Sequence, residues 1–67
     1  MEKKVFRVLV SFDDAIGRRR NRSEDFTEYK YAAAWAVEQR EKGRWAMIAE
    51  LWKDGTTTHC NVLQAWR

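Results

Sequence analysis

Residues 27–42, TEYKYAAAWAVEQREK, form the stretch around which the rest of the chain is arranged, and Gly43 follows them directly. Alanine, glutamate, glutamine, arginine and lysine dominate this stretch, and all five are strong helix formers. A glycine at the end of a helix readily adopts the left-handed backbone conformation that closes it. We therefore predict one helix over residues 27–42, closed by Gly43.

The start of this helix has two alternative caps. Thr27 can accept a hydrogen bond from an N–H of the first turn, and Phe26 and Tyr31 have the spacing of a hydrophobic staple around it. Asp25 and Glu28 instead form a competing capping box. The alternatives leave the first helical residue open by about two positions.

Two stripes of side chains on the helix compete for the core. The first stripe contains Tyr31, Ala32, Trp35, Ala36 and Gln39, and the second contains Tyr29, Ala33 and Val37. A one-sided amphipathic helix needs only one of them. We expect the first stripe to face the core and the second to be partly exposed.

Residues 3–12, KKVFRVLVSF, predict a strand because β-branched and aromatic residues crowd them. Alternation gives this strand a core face made of Phe6, Val8, Val10 and Phe12. Residues 13–25, DDAIGRRRNRSED, break the periodicity, and we interpret them as an arginine-rich loop between strand and helix. A loop of this length in a small domain is usually functional or mobile.

Residues 44–66 predict a hairpin that turns at Asp54 and Gly55, since both residue types tolerate a positive φ. With this two-residue loop, Leu51 pairs with Thr58, Ala49 with Cys60, and Met47 with Val62. The register gathers a second core face from Trp45, Met47, Leu51, Cys60, Val62 and Trp66. A bulge at the turn is the alternative, and it would shift the pairing by one residue and mix the two faces.

These elements predict a single α+β domain over residues 1–67 with the element order β-α-β-β. Connection rules favour a three-stranded antiparallel sheet in the order 1-3-2, with the helix packed on one face. The uncovered face would carry Val5, Leu9, Ala46, Ile48, Trp52, Leu63 and Ala65 among Arg7, Glu50, His59 and Asn61. Ile48, Trp52, Leu63, Leu9 and Arg7 mark the candidate partner or dimer surface on it. Scattered apolar residues without a partner are the alternative.

The cluster of Arg18, Arg19, Arg20 and Arg22 is the sharpest functional signal. Guanidinium groups so close together repel one another, so they are expected to point outward. They can form bidentate hydrogen bonds with phosphates of nucleic acid or with carboxylates of an acidic protein surface. The third interpretation is a solvated loop whose arginines pair with nearby acids. No helix-turn-helix, zinc-finger or aromatic-basic RNA signature accompanies the cluster.

No catalytic residue, metal or cofactor is expected. His59 and Cys60 are adjacent in a predicted strand and point to opposite faces, so they cannot chelate one ion there. We expect His59 to pair with Glu50 on the surface and Cys60 to lie in the core. The three glycines have turn or cap roles, which leaves none for a phosphate loop.

The sequence therefore predicts a small non-enzymatic binding or regulatory protein. It would dock on nucleic acid, or on a nucleic-acid-handling protein complex, through its arginines; the modest net charge of +3 favours such partners only weakly. An analogy with small proteins of bacterial viruses adds inhibition of host machinery as a possible role. The alternative is a protein-interaction or homodimerisation module that uses the sheet face. We expect a cytoplasmic location, no membrane contact and no small-molecule substrate.

Overall fold

The computed structural model of the protein describes residues 4–66. They form four strands and one helix: β1 (Val5–Asp13), β2 (Arg19–Phe26), α1 (Tyr29–Glu41), β3 (Trp45–Asp54) and β4 (Thr57–Trp66). The strands make one antiparallel sheet in the order β2-β1-β3-β4. The helix packs on β1, β2 and β3 and so covers one face of the sheet.

The predicted three-stranded sheet in the order 1-3-2 is wrong, although the α+β class holds. Most of the segment that we interpret as an arginine-rich loop is strand β2. This extra strand reverses the chain before the helix, so β3 runs antiparallel to β1 and pairs with it directly. Without β2, β3 would run parallel to β1, and β4 would be needed between them.

The central position of β3 follows from its composition. Its two faces are both apolar, with Ala46 and Ile48 on one side and Met47, Ala49 and Leu51 on the other. A strand that is apolar on both faces is suited to the middle of a sheet. By contrast, β4 contains two threonines, one asparagine and one glutamine, and it lies at an edge.

The core lies between the sheet and the helix. Its buried members are Val8, Val10, Ala32, Ala36, Ala46 and Ile48. This arrangement confirms the predicted core face of β1, whose Phe6 and Phe12 pack against the same cluster. Small alanines occupy both sides of the contact, so the helix backbone can approach the sheet closely.

The predicted faces of β3 and β4 are wrong. Ile48 pairs with Val8 under the helix and is fully buried, whereas Cys60 and Val62 are exposed on the opposite face. That uncovered face also carries Val5 and Leu9. The side chain of Trp66, a predicted core residue, lies outside the described part of the structure.

The β3–β4 hairpin turns one residue later than predicted. Its loop is Gly55–Thr56, so Leu51 pairs with Cys60 and not with Thr58. Gly55 has a φ of 62°, and no residue other than glycine has a positive φ among residues 4–66. A loop with positive φ only at its first residue is a type II′ turn, which matches the twist of a hairpin. A bulge interrupts the register farther along, between Ile48 and Ala49.

The helix ends as predicted and begins differently. Gly43 has a φ of 80°, its N–H donates to the carbonyl of Arg40 at 2.8 Å, and the N–H of Arg44 donates to the carbonyl of Gln39 at 3.2 Å. These two bonds define a Schellman motif. At the other end Glu28 is the N-cap residue, and no side chain caps the first turn, so both predicted caps are wrong.

The predicted core stripe of the helix is correct except for Tyr31. Ala32, Ala36 and Gln39 are buried and Trp35 is half-buried. Tyr31 is 57% exposed, with the Lys30 ammonium 5.2 Å from its ring centre. The second stripe is partly exposed, as expected.

The position of Ile48 gives a test of the sheet topology. Replacing a fully buried isoleucine by alanine leaves a cavity, so Ile48→Ala is expected to lower the free energy of unfolding by about 2–5 kcal/mol. Val62→Ala removes a side chain that is 53% exposed and is expected to cost well under half as much. Urea unfolding followed by tryptophan fluorescence measures both, and equal losses would contradict the assignment of faces.

Candidate functional site

A single carboxylate organises the hairpin between β1 and β2. Asp14 Oδ1 accepts hydrogen bonds from the N–H groups of Ile16 at 3.0 Å and Arg18 at 2.9 Å. The Asp14 carbonyl accepts from the N–H of Gly17 at 3.0 Å, and Gly17 has a φ of 81°. Aspartate first and glycine fourth are favoured in such a turn, and a left-handed glycine completes the three-residue hairpin loop.

The same carboxylate holds one of the four predicted arginines. Asp14 Oδ2 lies 2.8 Å from Arg20 Nε. This hydrogen bond, together with that from the Arg18 N–H, holds the pKa of Asp14 below its usual value. Arg20 therefore stabilises the hairpin, in addition to any role in binding a partner.

Of the other arginines of the cluster, Arg19 and Arg22 lie in strand β2, and Arg18 directly precedes it. Arg19 Nε lies 3.2 Å from Asp13 Oδ1, and Arg19 also donates to Ser11 Oγ at 3.2 Å. Arg22 is 3.6 Å from Glu24, and its guanidinium lies 5.9 Å from the ring centre of Trp35. Arg18 has no side-chain partner within residues 4–66. Three of the four therefore have an acidic neighbour, as the solvated-loop interpretation expected, but in a strand.

Strand alternation also divides the cluster between two faces. Arg19 pairs with Asp13 on the uncovered face, whereas Arg20 and Arg22 pair with Phe12 and Val10 on the helix-bearing face. The ion pairs are exposed at the surface, with 56–64% of each arginine side chain accessible. Exposed pairs of this kind contribute little to stability. Arg19 and Arg22 can therefore exchange their exposed acidic partners for another anion at low cost.

A groove at the end of the sheet collects further cations. It has a volume of about 740 Å³ and lies where β1 ends, β2 begins and the helix closes. Its charged lining residues are Arg19, Arg40, Lys42 and Arg44, with Asp13 as the single acid among them. Ser11, Phe12, Gly43 and Trp45 complete the lining. We call this groove, together with the adjoining Arg18 and Arg20, the basic pole.

The Schellman motif builds one wall of the groove. The reversal at Gly43 carries Lys42 and Arg44 to the end of β1. Arg44 lies over the ring of Phe12, with its guanidinium carbon 4.0 Å from the ring centre, and donates to the Oε1 atom of the buried Gln39. Arg44 is thus fixed by packing, whereas Lys42 has no side-chain partner among the described residues.

The basic pole is positive although it includes the end of a helix. Helix carbonyls give that end a partial negative charge. The neighbouring chain segments 13–20 and 40–44 contain six cations, Arg18, Arg19, Arg20, Arg40, Lys42 and Arg44, and three acids, Asp13, Asp14 and Glu41. The excess of cations outweighs the helix dipole, so the site is suited to an anion with several separated charges.

Sequence reasoning found Arg18, Arg19 and Arg20 but missed Arg40, Lys42, Arg44 and Trp45. These residues belong to the helix end and to the next strand, which lie more than fifteen positions beyond the arginine cluster in the sequence. The signal that could have joined them is Gly43, because a closing glycine folds the chain back onto the preceding turn.

The predicted partner surface does not form one patch. Arg7 and Leu9 lie on the uncovered face, where Arg7 makes two hydrogen bonds to Asp25, at 2.7 and 3.1 Å. Ile48 is buried under the helix, so its assignment to a partner surface is wrong. Trp52 lies on the helix-bearing side and stacks on His59 at 5.2 Å. Leu63, 37% exposed, lies at the bulge of β4.

His59 and Cys60 differ from their predicted surroundings. His59 pairs with Trp52 rather than Glu50, and its Nε2 atom lies 3.9 Å from Asp54 Oδ2. Cys60 is exposed and not in the core. No group of three or more His, Cys, Asp or Glu side chains in residues 4–66 is placed to hold a metal ion. In the same residues no helix is both long and apolar enough to span a membrane.

In comparisons with known proteins, no family model, no curated protein and no solved structure matches this chain.

The lowered pKa of Asp14 predicts a pH-dependent contribution to stability. A carboxylate with a lowered folded-state pKa stabilises the fold above its unfolded value, here 3.8, and loses that effect as the pH falls through its folded value. Asp14→Asn is therefore expected to lower the urea midpoint at pH 7, and the gap from wild type should narrow as the pH falls below 3.8. Asp54→Asn, at the other hairpin, is the control and should change the midpoint less. A gap that is constant from pH 7 to 2 would contradict this role.

Proposed function

We propose that this protein is a small non-enzymatic binding protein whose basic pole docks on the phosphate backbone of nucleic acid. The observation that carries this proposal is the groove in which Arg19, Arg40, Lys42 and Arg44 surround one acidic residue. A row of phosphates provides separated negative charges that match such a groove. Guanidinium groups bind them with paired hydrogen bonds, and an ammonium group binds them as a point charge.

The residues of the basic pole differ in how readily they can bind. Arg18 and Lys42 have no side-chain partner within the described residues, so a phosphate would not compete with an existing ion pair. Arg19 would exchange the exposed Asp13 for a phosphate. Arg20 and Arg44 are held by Asp14 and Gln39 and would shape the surface more than adapt to a ligand.

The expected mode of binding is independent of base sequence. Phosphate contacts position a protein on nucleic acid, whereas contacts to base edges determine sequence preference. The helix packs its buried side on the sheet, and the cations lie at its end rather than along an exposed face. Trp45, half-buried at the groove, offers a ring on which an unpaired base can stack.

Two alternative functions replace nucleic acid by a protein partner, bound either at the basic pole or on the sheet face. An acidic protein surface presents carboxylates, which the same guanidinium groups also bind. A protein-interaction module that uses the sheet face has less support than in the sequence, because Ile48 and Trp52 lie on the helix-bearing side. A regulatory or inhibitory role would follow from either charged partner.

The experiment compares two variants that remove the same charge from opposite ends of the molecule. Arg18→Gln/Lys42→Gln removes two cations of the basic pole, and Lys30→Gln/Lys53→Gln removes two cations elsewhere. Affinity for single-stranded and duplex DNA is measured by fluorescence anisotropy from 25 to 300 mM salt. The salt slope is the fall in the logarithm of the affinity with the logarithm of the salt concentration.

The first variant is expected to bind at least about tenfold more weakly at low salt and to lower the salt slope by about two, since two phosphate contacts are lost. The control should remain close to wild type. Equal weakening in both variants would show a general charge effect rather than a site. No binding by the wild type at 25 mM salt would exclude nucleic acid and leave the acidic protein surface.

A further inference from the structure

The outer edge of β2 is regular, and no other strand of residues 4–66 pairs with it. Residues 19–25 are all exposed, and the register of β2 with β1 runs without interruption from Arg19 to Phe26. The other edge, β4, is interrupted by a bulge, which is one way in which proteins protect an edge from pairing. Of the two edges, β2 is therefore the better template for another strand.

The backbone groups available on this edge follow from the hydrogen-bond pattern. The Asp14 N–H donates to the Arg18 carbonyl at 2.8 Å, so Arg18 directs its backbone groups toward β1. In an antiparallel ladder this direction alternates along the strand. The N–H and C=O groups of Arg19, Asn21, Ser23 and Asp25 therefore point outward, away from the sheet.

The side chains of β2 separate by charge along the strand. Its first half carries Arg19, Arg20 and Arg22, and its second half carries Glu24 and Asp25. Two such strands attract one another when they run antiparallel, because the basic half of each then meets the acidic half of the other. A parallel arrangement would place like charges together.

We propose that two copies of this chain associate through β2, antiparallel, with Ser23 of one copy opposite Ser23 of the other on the two-fold axis. This register joins outward-pointing backbone groups of the two strands, Ser23 to Ser23 and Asn21 to Asp25. It also places Arg22 directly opposite Glu24 of the second copy, on the helix-bearing face. By symmetry, Glu24 also lies opposite Arg22 of the second copy. Both Arg22–Glu24 pairs lie at non-hydrogen-bonded positions, where opposing side chains are closest.

Neighbouring registers are disfavoured by charge. A two-fold axis through Arg22 would set two guanidinium groups face to face, and one through Glu24 would set two carboxylates face to face. Like charges directly opposite each other destabilise a strand pair. The Ser23 register instead replaces the 3.6 Å contact between Arg22 and Glu24 within each strand by two contacts between copies.

The helix does not obstruct this edge. It packs chiefly on β1 and β3, and the two-fold axis places both helices on the same face of the joined sheet, separated by both copies of β2. The dimer would be one continuous eight-stranded antiparallel sheet. This inference does not rest on the proposed nucleic-acid binding, and it is tested without nucleic acid.

Charge exchange at the two facing positions provides the test. Sedimentation equilibrium over a range of protein concentrations gives the dimer dissociation constant of wild type, Arg22→Glu, Glu24→Arg and the double variant. Each single reversal is expected to weaken the dimer at least about tenfold, because both symmetric contacts change from attraction to repulsion. The double variant is expected to restore it to within about threefold of wild type, since the pair is then inverted but complementary.

A matched control separates this effect from a general change of charge. Lys53 and Asp54 are exposed neighbours of opposite charge at the end of β3, and β1 separates that strand from β2. Reversing their charges in Lys53→Glu and Asp54→Lys, singly and together, is expected to leave the dissociation constant within about twofold.

A second variant tests the backbone pairing independently of charge. Ser23→Pro removes an N–H that points outward, and proline is tolerated on an edge strand at such a position. It is expected to abolish the dimer while circular dichroism still shows a cooperative thermal transition. If Ser23→Pro does not fold, the charge exchange decides alone.

Three results would overturn the proposal. One is a wild type that sediments as a monomer up to millimolar concentration. Another is a dimer that persists unchanged in both Glu24→Arg and Arg22→Glu. The third is a dimer that is lost in Leu51→Arg but kept in Glu24→Arg, which would assign the contact to the uncovered sheet face.

Discussion

The pairing of β2 with β1 is the constraint on which the rest of the structure depends. It is made almost entirely by polar contacts: Asp14 closes the loop, Arg7 binds Asp25, and Ser11 bonds to Asn21 at 3.0 Å. Because β2 reverses the chain, the helix that follows it crosses over β1 and delivers β3 to the opposite side. A polar edge strand thus determines which strands are central and which face the helix can cover.

The core that results is small, and it depends on the close approach of the helix to the sheet rather than on large side chains. Two alanines of the helix meet a sheet surface that includes Ala46, and larger side chains such as Phe6, Phe12 and Trp35 pack around them. Much of the aromatic surface is therefore at the margin of the core. Gln39 is buried beside the helix end, where the Arg44 guanidinium satisfies its side-chain oxygen, and this contact links the core to the basic pole.

Local signals in the sequence predict the elements better than their arrangement. Alternation in β1 identifies its core face, and Gly43 identifies the helix end, because each depends on neighbouring residues alone. The second strand has no apolar alternation, so hydrophobic periodicity cannot detect it; the turn residues Asp14 and Gly17 were the available sign. The face of β3 was misassigned because its larger apolar residues, Met47 and Leu51, lie on the uncovered side while Ala46 lies under the helix. The arginine cluster was visible, but its partners across the helix end depend on tertiary structure.

Because the helix carries the chain from β2 across to β3, the strand pairings fall into two classes, one near in sequence and one far apart. Each hairpin joins strands linked by a loop of a few residues, so its closure loses little chain entropy. The ladder between β1 and β3 joins Val8 to Ile48, forty positions apart, and it forms only when both hairpins and the helix between them meet. We therefore expect the docking of the two hairpins through this ladder to limit the rate of folding, because chain entropy is lost before these distant and deeply buried contacts form.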